Sequence, residues 1–240
     1  MSAVLVLDVG AGSLEPLAIR IRRLGLRVVR GKTSDAAQDI LNDPRFAIGA
    51  IVIPPDVPTA DLGRALETLQ YQDPDRPLPM LVSGAKPEPS TCDELRGAGV
   101  DLALFEPIDD HTLRFQLNRA LAEGSGVSAG RRALRVPADW PVRVRMGHRI
   151  KEARLYTLSC GGAYLATPRP SHRGSTLLLT LPLPSGPIEI AARVMMTNVP
   201  GNLVRDNLPL GMGVQFTDLA SDFESSIQSW TETRASHLRL

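Results

Sequence analysis

The hydrophobic period of this chain changes once, and the change falls at a single Gly/Ser-rich stretch. Up to Ala122, short aliphatic runs alternate with amphipathic stretches; beyond EGSGVSAG the apolar residues recur at every second position. A period near 3.6 belongs to helices and a period of two to half-buried strands, so the two halves cannot share one continuous architecture. The length of 240 residues agrees, because a domain typically takes about 150. We place a flexible linker at residues 124–130, one domain at 1–123 and a second at 131–240.

In the first half, the runs Ala3 to Val9, Leu26 to Val29, Ile48 to Ile53, Met80 to Val82 and Asp101 to Phe105 are too short for helices. They are rich enough in Val, Ile and Leu to be buried strands. Between them, helical spacing covers Leu14 to Leu24, Ser34 to Leu41, Ala60 to Leu69, Thr91 to Ala98 and Asp109 to Ala122. Ser13, Ser34, Thr59 and Asp109 or Asp110 stand where N-caps are expected. Strands alternating with helices in this way predict a doubly wound α/β domain.

In the second half, Val142, Val144 and Met146 alternate with Arg143, Arg145 and Gly147. Further strands are expected at Ala153 to Leu158, Ala163 to Ala166, Thr176 to Leu181, Ile188 to Thr197 and Gly211 to Phe216. Six short strands separated by turn residues predict a small antiparallel barrel. Asp218 to Arg234, with Leu219, Phe223, Ile227 and Trp230 at helical spacing, predicts a helix laid against that barrel.

Composition excludes several classes. Apolar residues at 43% and charged residues at 22% are incompatible with an intrinsically disordered chain. The longest apolar run, Phe46 to Pro55, is far shorter than the roughly 18 residues of a membrane span. The start MSAVLVLDVG lacks the basic residues of a secretory signal, so a cytoplasmic protein without membrane insertion is expected. Cys92 and Cys160 have neither CxxC spacing nor a nearby histidine, which speaks against zinc and against a disulfide. His111, His148, His172 and His237 are scattered, with no adjacent acid or nucleophile pattern. No catalytic residue, metal site or cofactor is therefore expected.

The net charge of +1 hides a division: residues 1–126 hold 13 basic and 18 acidic residues, residues 127–240 hold 14 and 8. An anionic ligand is thus expected on the second half. Arg131, Arg132 and Arg135 follow the linker directly, where an arm can bring guanidinium forks onto phosphate oxygens and stack them on purine rings. Farther on, YTLSCGGAYLAT places Ser159 and Gly162 at a strand end and turn. Arg143 and Arg145, alternating with valines, read as a solvated barrel face. Nucleic-acid binding is disfavoured because the aromatics of this half, Trp140, Tyr156, Tyr164, Phe216, Phe223 and Trp230, fall largely at core positions.

The first half resembles the response-regulator receiver, a flavodoxin-like (βα)5 domain. That family carries an acidic pair after the first strand, a phosphoacceptor Asp ending the third, Ser or Thr ending the fourth and Lys-Pro ending the fifth. Here the first strand ends in a lone Asp8, Pro54 stands where the acceptor is expected, Ser83 matches, and Glu106-Pro107 replaces Lys-Pro. The chemistry needs carboxylates for Mg²⁺, a nucleophile and an ammonium, so the resemblance implies a pseudo-receiver that is not phosphorylated. Asp56 reads as a loop or cap residue rather than a displaced acceptor. Gly10-Ala11-Gly12 lacks the third glycine of a dinucleotide fingerprint, Glu15 standing there, and reads as a turn. The resemblance further implies protein contact, with a partner or a second copy, through Leu104 to Leu121, including Phe105, Leu113, Phe115 and Leu117, although Leu113 and Leu117 read first as the core side of an amphipathic helix.

The second half resembles the PilZ domain, a cyclic di-GMP receptor built on a six-stranded barrel with a C-terminal helix. Arg131 and Arg135 match its R-x-x-x-R, Arg132 is the common extra basic residue, and Ser159 and Gly162 match the end of its Asp/Asn-x-Ser-x-x-Gly. The resemblance implies that the three arginines grip the phosphates and stack on guanine while Ser159 and its strand face the bases. It also implies an output in motility, adhesion or development. Thr157 replaces the Asp or Asn, and one lost base-edge bond costs about 1–3 kcal/mol, ten- to hundredfold in affinity. Two functions follow: a non-enzymatic cyclic di-GMP effector that signals to a protein partner through its receiver-like half, or an adaptor that binds partners without the dinucleotide.

Overall fold

In the computed structural model, residues 2–9, 14–58, 78–124, 133–204 and 207–240 are described. Two compact units emerge, Met1–Gly130 together with His237–Leu240, and Arg131–Ser236. The last four residues thus join the first unit rather than the barrel with which the sequence groups them. The expected linker lies outside the described residues except for Gly124, as do Ser13, Thr59 and the helix expected at Ala60 to Leu69.

The first unit is a parallel sheet of β1 (Ala3–Leu7), β2 (Val28–Gly31), β3 (Ile48–Ile53), β4 (Met80–Gly84) and β5 (Leu102–Phe105), in the order β2-β1-β3-β4-β5. Its described helices are α1 (Glu15–Arg23), α2 (Ser34–Asn42), α3 (Pro89–Gly97) and α4 (Asp110–Gly124). Strand alternation divides the core. Val4, Val6, Val52 and Leu81 meet Ile21 of α1 and Leu113 and Leu117 of α4 on one face. Leu5, Ile51, Ile53 and Val82 meet Ala37 of α2 and Leu95 of α3 on the other. A sheet covered on both faces needs strands apolar at every position, and the five residues of β1 are all buried.

Asp109 caps α4 as expected, its carboxylate accepting from the Thr112 N–H at 2.7 Å and the Thr112 hydroxyl at 2.8 Å. Thr33, not Ser34, caps α2: its backbone is extended (φ −140°, ψ 159°) and its hydroxyl accepts from the Ala36 N–H at 3.1 Å. An N-cap must lie outside helical φ/ψ, and Ser34 is already inside the helix.

The second unit is a closed barrel of β6 (Val136–Met146), β7 (Arg149–Ser159), β8 (Gly162–Ala166), β9 (Thr176–Leu183), β10 (Gly186–Asn198) and β11 (Gly211–Asp218), in the order β10-β11-β8-β7-β6-β9. Val142, Val144, Leu155, Leu165, Leu179, Ile190 and Val214 fill it. Arg143 and Arg145 point to solvent, Arg145 facing Glu189 at 3.8 Å. Helix α5 (Ser221–Ser236) packs against this core through Ile227 and Trp230, the latter against Trp140 with ring centroids 4.4 Å apart and planes tilted by 53°. Its inward stripe is Ile227, Thr231 and Ala235, four residues apart as helical geometry requires. Phe223 lies on the same stripe one turn earlier but is 37% exposed, contrary to the inward position expected for it.

Truncating Ile227 to Ala removes fully buried carbon and should cost about 2–4 kcal/mol. Phe223→Ala should cost less than about 1 kcal/mol. Denaturant unfolding of the two variants checks the difference.

Candidate functional site

The hairpin of β7 and β8 turns through Cys160 and Gly161, with Ser159 opposite Gly162, Leu158 opposite Ala163 and Thr157 opposite Tyr164. The Ser159 hydroxyl, 3% exposed, donates to the Gly162 carbonyl at 3.0 Å and closes the turn. On the other side of β7, Val136 faces Leu158 and Pro137 faces Thr157. The chain therefore enters the barrel with Arg135, one residue before Val136, beside the Ser159 end of the hairpin. Arg135 is half-buried and engaged in an interaction. The fold thus brings Arg135, Thr157, Ser159 and Gly162 together from two segments, while Arg131 and Arg132 lie outside the described residues.

Gly162 is fixed by packing. A Cβ on it would stand 2.2 Å from the Val214 carbonyl oxygen of β11, and one on Gly211 would stand 2.1 Å from the Leu165 carbonyl oxygen of β8. Neither distance is physical, so both positions require glycine where β8 and β11 pair. In contrast, Gly161 has open space around its missing Cβ.

Thr157 is 4% exposed and its hydroxyl has no hydrogen-bond partner among the described residues. A β-bulge at Tyr156 breaks the ladder between Leu155 and Thr157, so Thr157 does not continue the inward register of Leu155. Tyr164 is opposite Thr157 and therefore on its face of the sheet. The Tyr164 hydroxyl donates to the Pro209 carbonyl at 2.7 Å, and its ring meets Tyr156 edge-on with centroids 5.8 Å apart. Burial, followed by the neighbouring Tyr156, pushes the Tyr164 phenol well above its ordinary value, so it stays a neutral donor. Asn198, fully buried, donates to the carbonyls of Leu208 at 3.1 Å and Pro209 at 3.4 Å. Tyr164 faces Thr157 and shares the Pro209 carbonyl with Asn198, contacts without any local sequence signal because that partner is more than ten residues from each.

Cys160, at the turn, is half-buried. Burial and then the charge of Glu224 push its thiol up from the ordinary value, which favours the protonated form.

In the receiver-like unit, Asp8, Pro54, Ser83 and Glu106 lie at or just after the C-terminal ends of β1, β3, β4 and β5. Asp8 accepts from the Leu14 N–H at 2.7 Å and from Arg30 at 3.0 Å, and Arg30 also pairs with Glu15. Its carboxylate is thereby committed to orienting the start of α1. Pro54 is buried and Asp56 exposed. Ser83 and Glu106 do meet, lining a cavity of about 540 Å³ with Leu14, Leu17, Arg20 and Ile108. The Arg20 guanidinium there is held by Asp110 at 2.7 Å and by the Ile108 carbonyl at 2.6 Å. Among the described residues, no group of His, Cys, Asp or Glu is placed to hold a metal ion. Leu113, Phe115 and Leu117, nominated for protein contact, are buried, while Phe105 is half-buried. No helix of the described residues is long and apolar enough to cross a membrane.

Two substitutions separate structure from ligand chemistry on the hairpin. Gly162→Ala forces β11 away and should cost at least about 1–3 kcal/mol. Thr157→Val removes a buried hydroxyl that lacks a partner and should raise stability by about 1 kcal/mol. Thermal unfolding gives opposite signs for the two if these assignments hold.

Residues 130–233 match the family model of the PilZ domain, and no curated protein matches the chain. Among solved structures, the Bacillus subtilis inhibitor of motility MotI/DgrA is similar with 19% identity and a TM-score of 0.39; the match covers 45% of this chain and 52% of that one. This chain thus spans about half the length of that protein. Chemotaxis protein CheY4 of Vibrio cholerae is similar with 18% identity and a TM-score of 0.41, covering 50% of this chain and 98% of that chain. YcgR of Escherichia coli, solved in complex with c-di-GMP, is similar with 16% identity and a TM-score of 0.36, covering 45% of this chain and 47% of that chain. The order β2-β1-β3-β4-β5 is the one receivers share with flavodoxin. The segment at residues 130–233, which carries the barrel and most of its closing helix, is a PilZ domain preceded by a five-stranded sheet in the receiver order.

Proposed function

We propose that this protein is a non-enzymatic, cytoplasmic cyclic di-GMP effector. The dinucleotide is bound at the entry to the barrel by Arg131, Arg132 and Arg135 together with Thr157, Ser159 and the turn at Gly162. The receiver-like unit, which lacks the phosphoryl chemistry, contacts a protein whose affinity changes with ligand occupancy. The observation that carries this reading is the convergence of Arg135 with Thr157, Ser159 and Gly162 inside the segment matching the PilZ domain. Guanidinium groups supply paired donors for phosphate oxygens, and the unpartnered Thr157 hydroxyl supplies one small polar group where Asp or Asn is usual.

A second reading, a protein-binding adaptor without dinucleotide, is favoured by one feature. Tyr164 and Thr157 are 2% and 4% exposed, so the strand face that would meet a base is covered.

Calorimetric titration of cyclic di-GMP into the protein, with GTP as control, tests the choice. The effector reading expects micromolar or tighter binding, abolished in an Arg131→Ala/Arg135→Ala variant, and at least tenfold tighter binding after Thr157→Asp. Absence of both heat and thermal shift at high ligand concentration would overturn it and leave the adaptor.

A further inference from the structure

Strand β5 is an edge of the parallel sheet, and edges with free backbone groups invite another strand. Here the last four residues of the sequence, His237–Leu240, fill that edge. The Ala103 N–H donates to the Leu238 carbonyl at 3.2 Å, the Leu240 N–H donates to the Asp101 carbonyl at 3.3 Å, and Arg239 bridges Leu102 in antiparallel register. Leu238 is 3% exposed and Leu240 packs against the core on one face of the sheet, whereas His237 and Arg239 point to solvent. That is the period of two of a strand with one buried side.

One polar side chain reads this segment. Gln116 of α4 is fully buried, and its Nε2 donates to both the Ala103 carbonyl at 3.0 Å and the Leu238 carbonyl at 2.7 Å. Its Oε1 is also buried and has no hydrogen-bond partner among the described residues. The tail therefore satisfies the donor of the amide and leaves the acceptor empty. A buried carbonyl oxygen without a donor is a standing cost that a different occupant could remove.

We infer that the β5 edge with Gln116 is a strand-docking site occupied in cis by the tail. Its exchangeable occupant is an extended, antiparallel segment of a partner protein, with leucine-like side chains two residues apart and a donor that reaches Gln116 Oε1. Backbone hydrogen bonds supply affinity, and the positions of Leu238 and Leu240 supply specificity. The tail masks the edge against unspecific pairing and yields to a strand that satisfies the amide fully. This deepens the protein-binding half of the function proposed above and rests on it, but not on dinucleotide binding.

The test uses the full chain and a labelled peptide, RASHLRL, corresponding to residues 234–240. Leu238→Asp places a charge in the buried position and should free the edge. The inference expects this variant to bind the peptide at least tenfold more tightly than the unaltered protein, and Gln116→Leu in the same background to lose most of that gain. Hydrogen exchange of the Ala103 and Leu240 amides in the unaltered protein gives an independent reading: exchange well ahead of the β1 amides is expected. Equal peptide affinity in both proteins, no binding to a folded Leu238→Asp variant, or exchange at the β1 rate would each overturn the inference. Cyclic di-GMP titrated into Leu238→Asp reports on the barrel site separately, so failure of one reading is not mistaken for failure of the other.

Discussion

Closure of the barrel depends on two places where β8 and β11 approach with no room for a side-chain carbon, at Gly162 and Gly211. Because these backbones are in direct contact, β8 is held in register with β11 on one side and β7 on the other. That register sets Thr157 opposite Tyr164 and Ser159 opposite Gly162, and it fixes where the chain enters beside Leu158 through Val136. The site is thus a consequence of how the barrel closes. Its spacing of serine and glycine has a structural component: the hydroxyl closes the turn and the glycine admits β11.

The two units solve burial differently, and their chemistry differs accordingly. In the parallel sheet both faces are covered, so polar groups concentrate at the strand ends. There Asp8 is neutralised by Arg30 and Arg20 is neutralised by Asp110. A pocket whose arginine is already held by a carboxylate offers little to a phosphoryl group, which agrees with Pro54 and Glu106 standing where an acceptor and a cation would be needed. In the barrel only one face of each strand meets the aliphatic interior, and a bulge at Tyr156 turns a short polar stretch away from it. The Thr157 hydroxyl there has no hydrogen-bond partner among the described residues. Such an orphan in an otherwise well-packed barrel is the kind of local inconsistency that marks a site.

Much of this was legible in the sequence because it is local and periodic. The alternation of Val142, Arg143, Val144 and Arg145 fixes which side of β6 faces inward, and the run IGAIVI reads directly as a strand buried on both faces. The signature residues Arg131, Arg135, Ser159 and Gly162 are nominated through their resemblance to the PilZ motifs. What was not legible depends on contacts between distant residues. Tyr164 reaches Pro209 and Gln116 reaches Leu238, separations of 45 and 122 residues. Likewise, helical period identifies the inward stripe of α5 but not how far the surface beneath it extends, which is why Phe223 emerges exposed. The choice of Thr33 over Ser34 as cap turns on backbone dihedrals that two adjacent hydroxyl residues do not reveal.

The central claim is that the dinucleotide site is built on the β7–β8 hairpin where the chain enters the barrel. Backbone amide resonances followed during addition of cyclic di-GMP locate the site directly. The account predicts shifts concentrated at Arg135 and from Thr157 to Gly162. Shifts confined to the receiver-like sheet, or no shifts at saturating ligand, would contradict it.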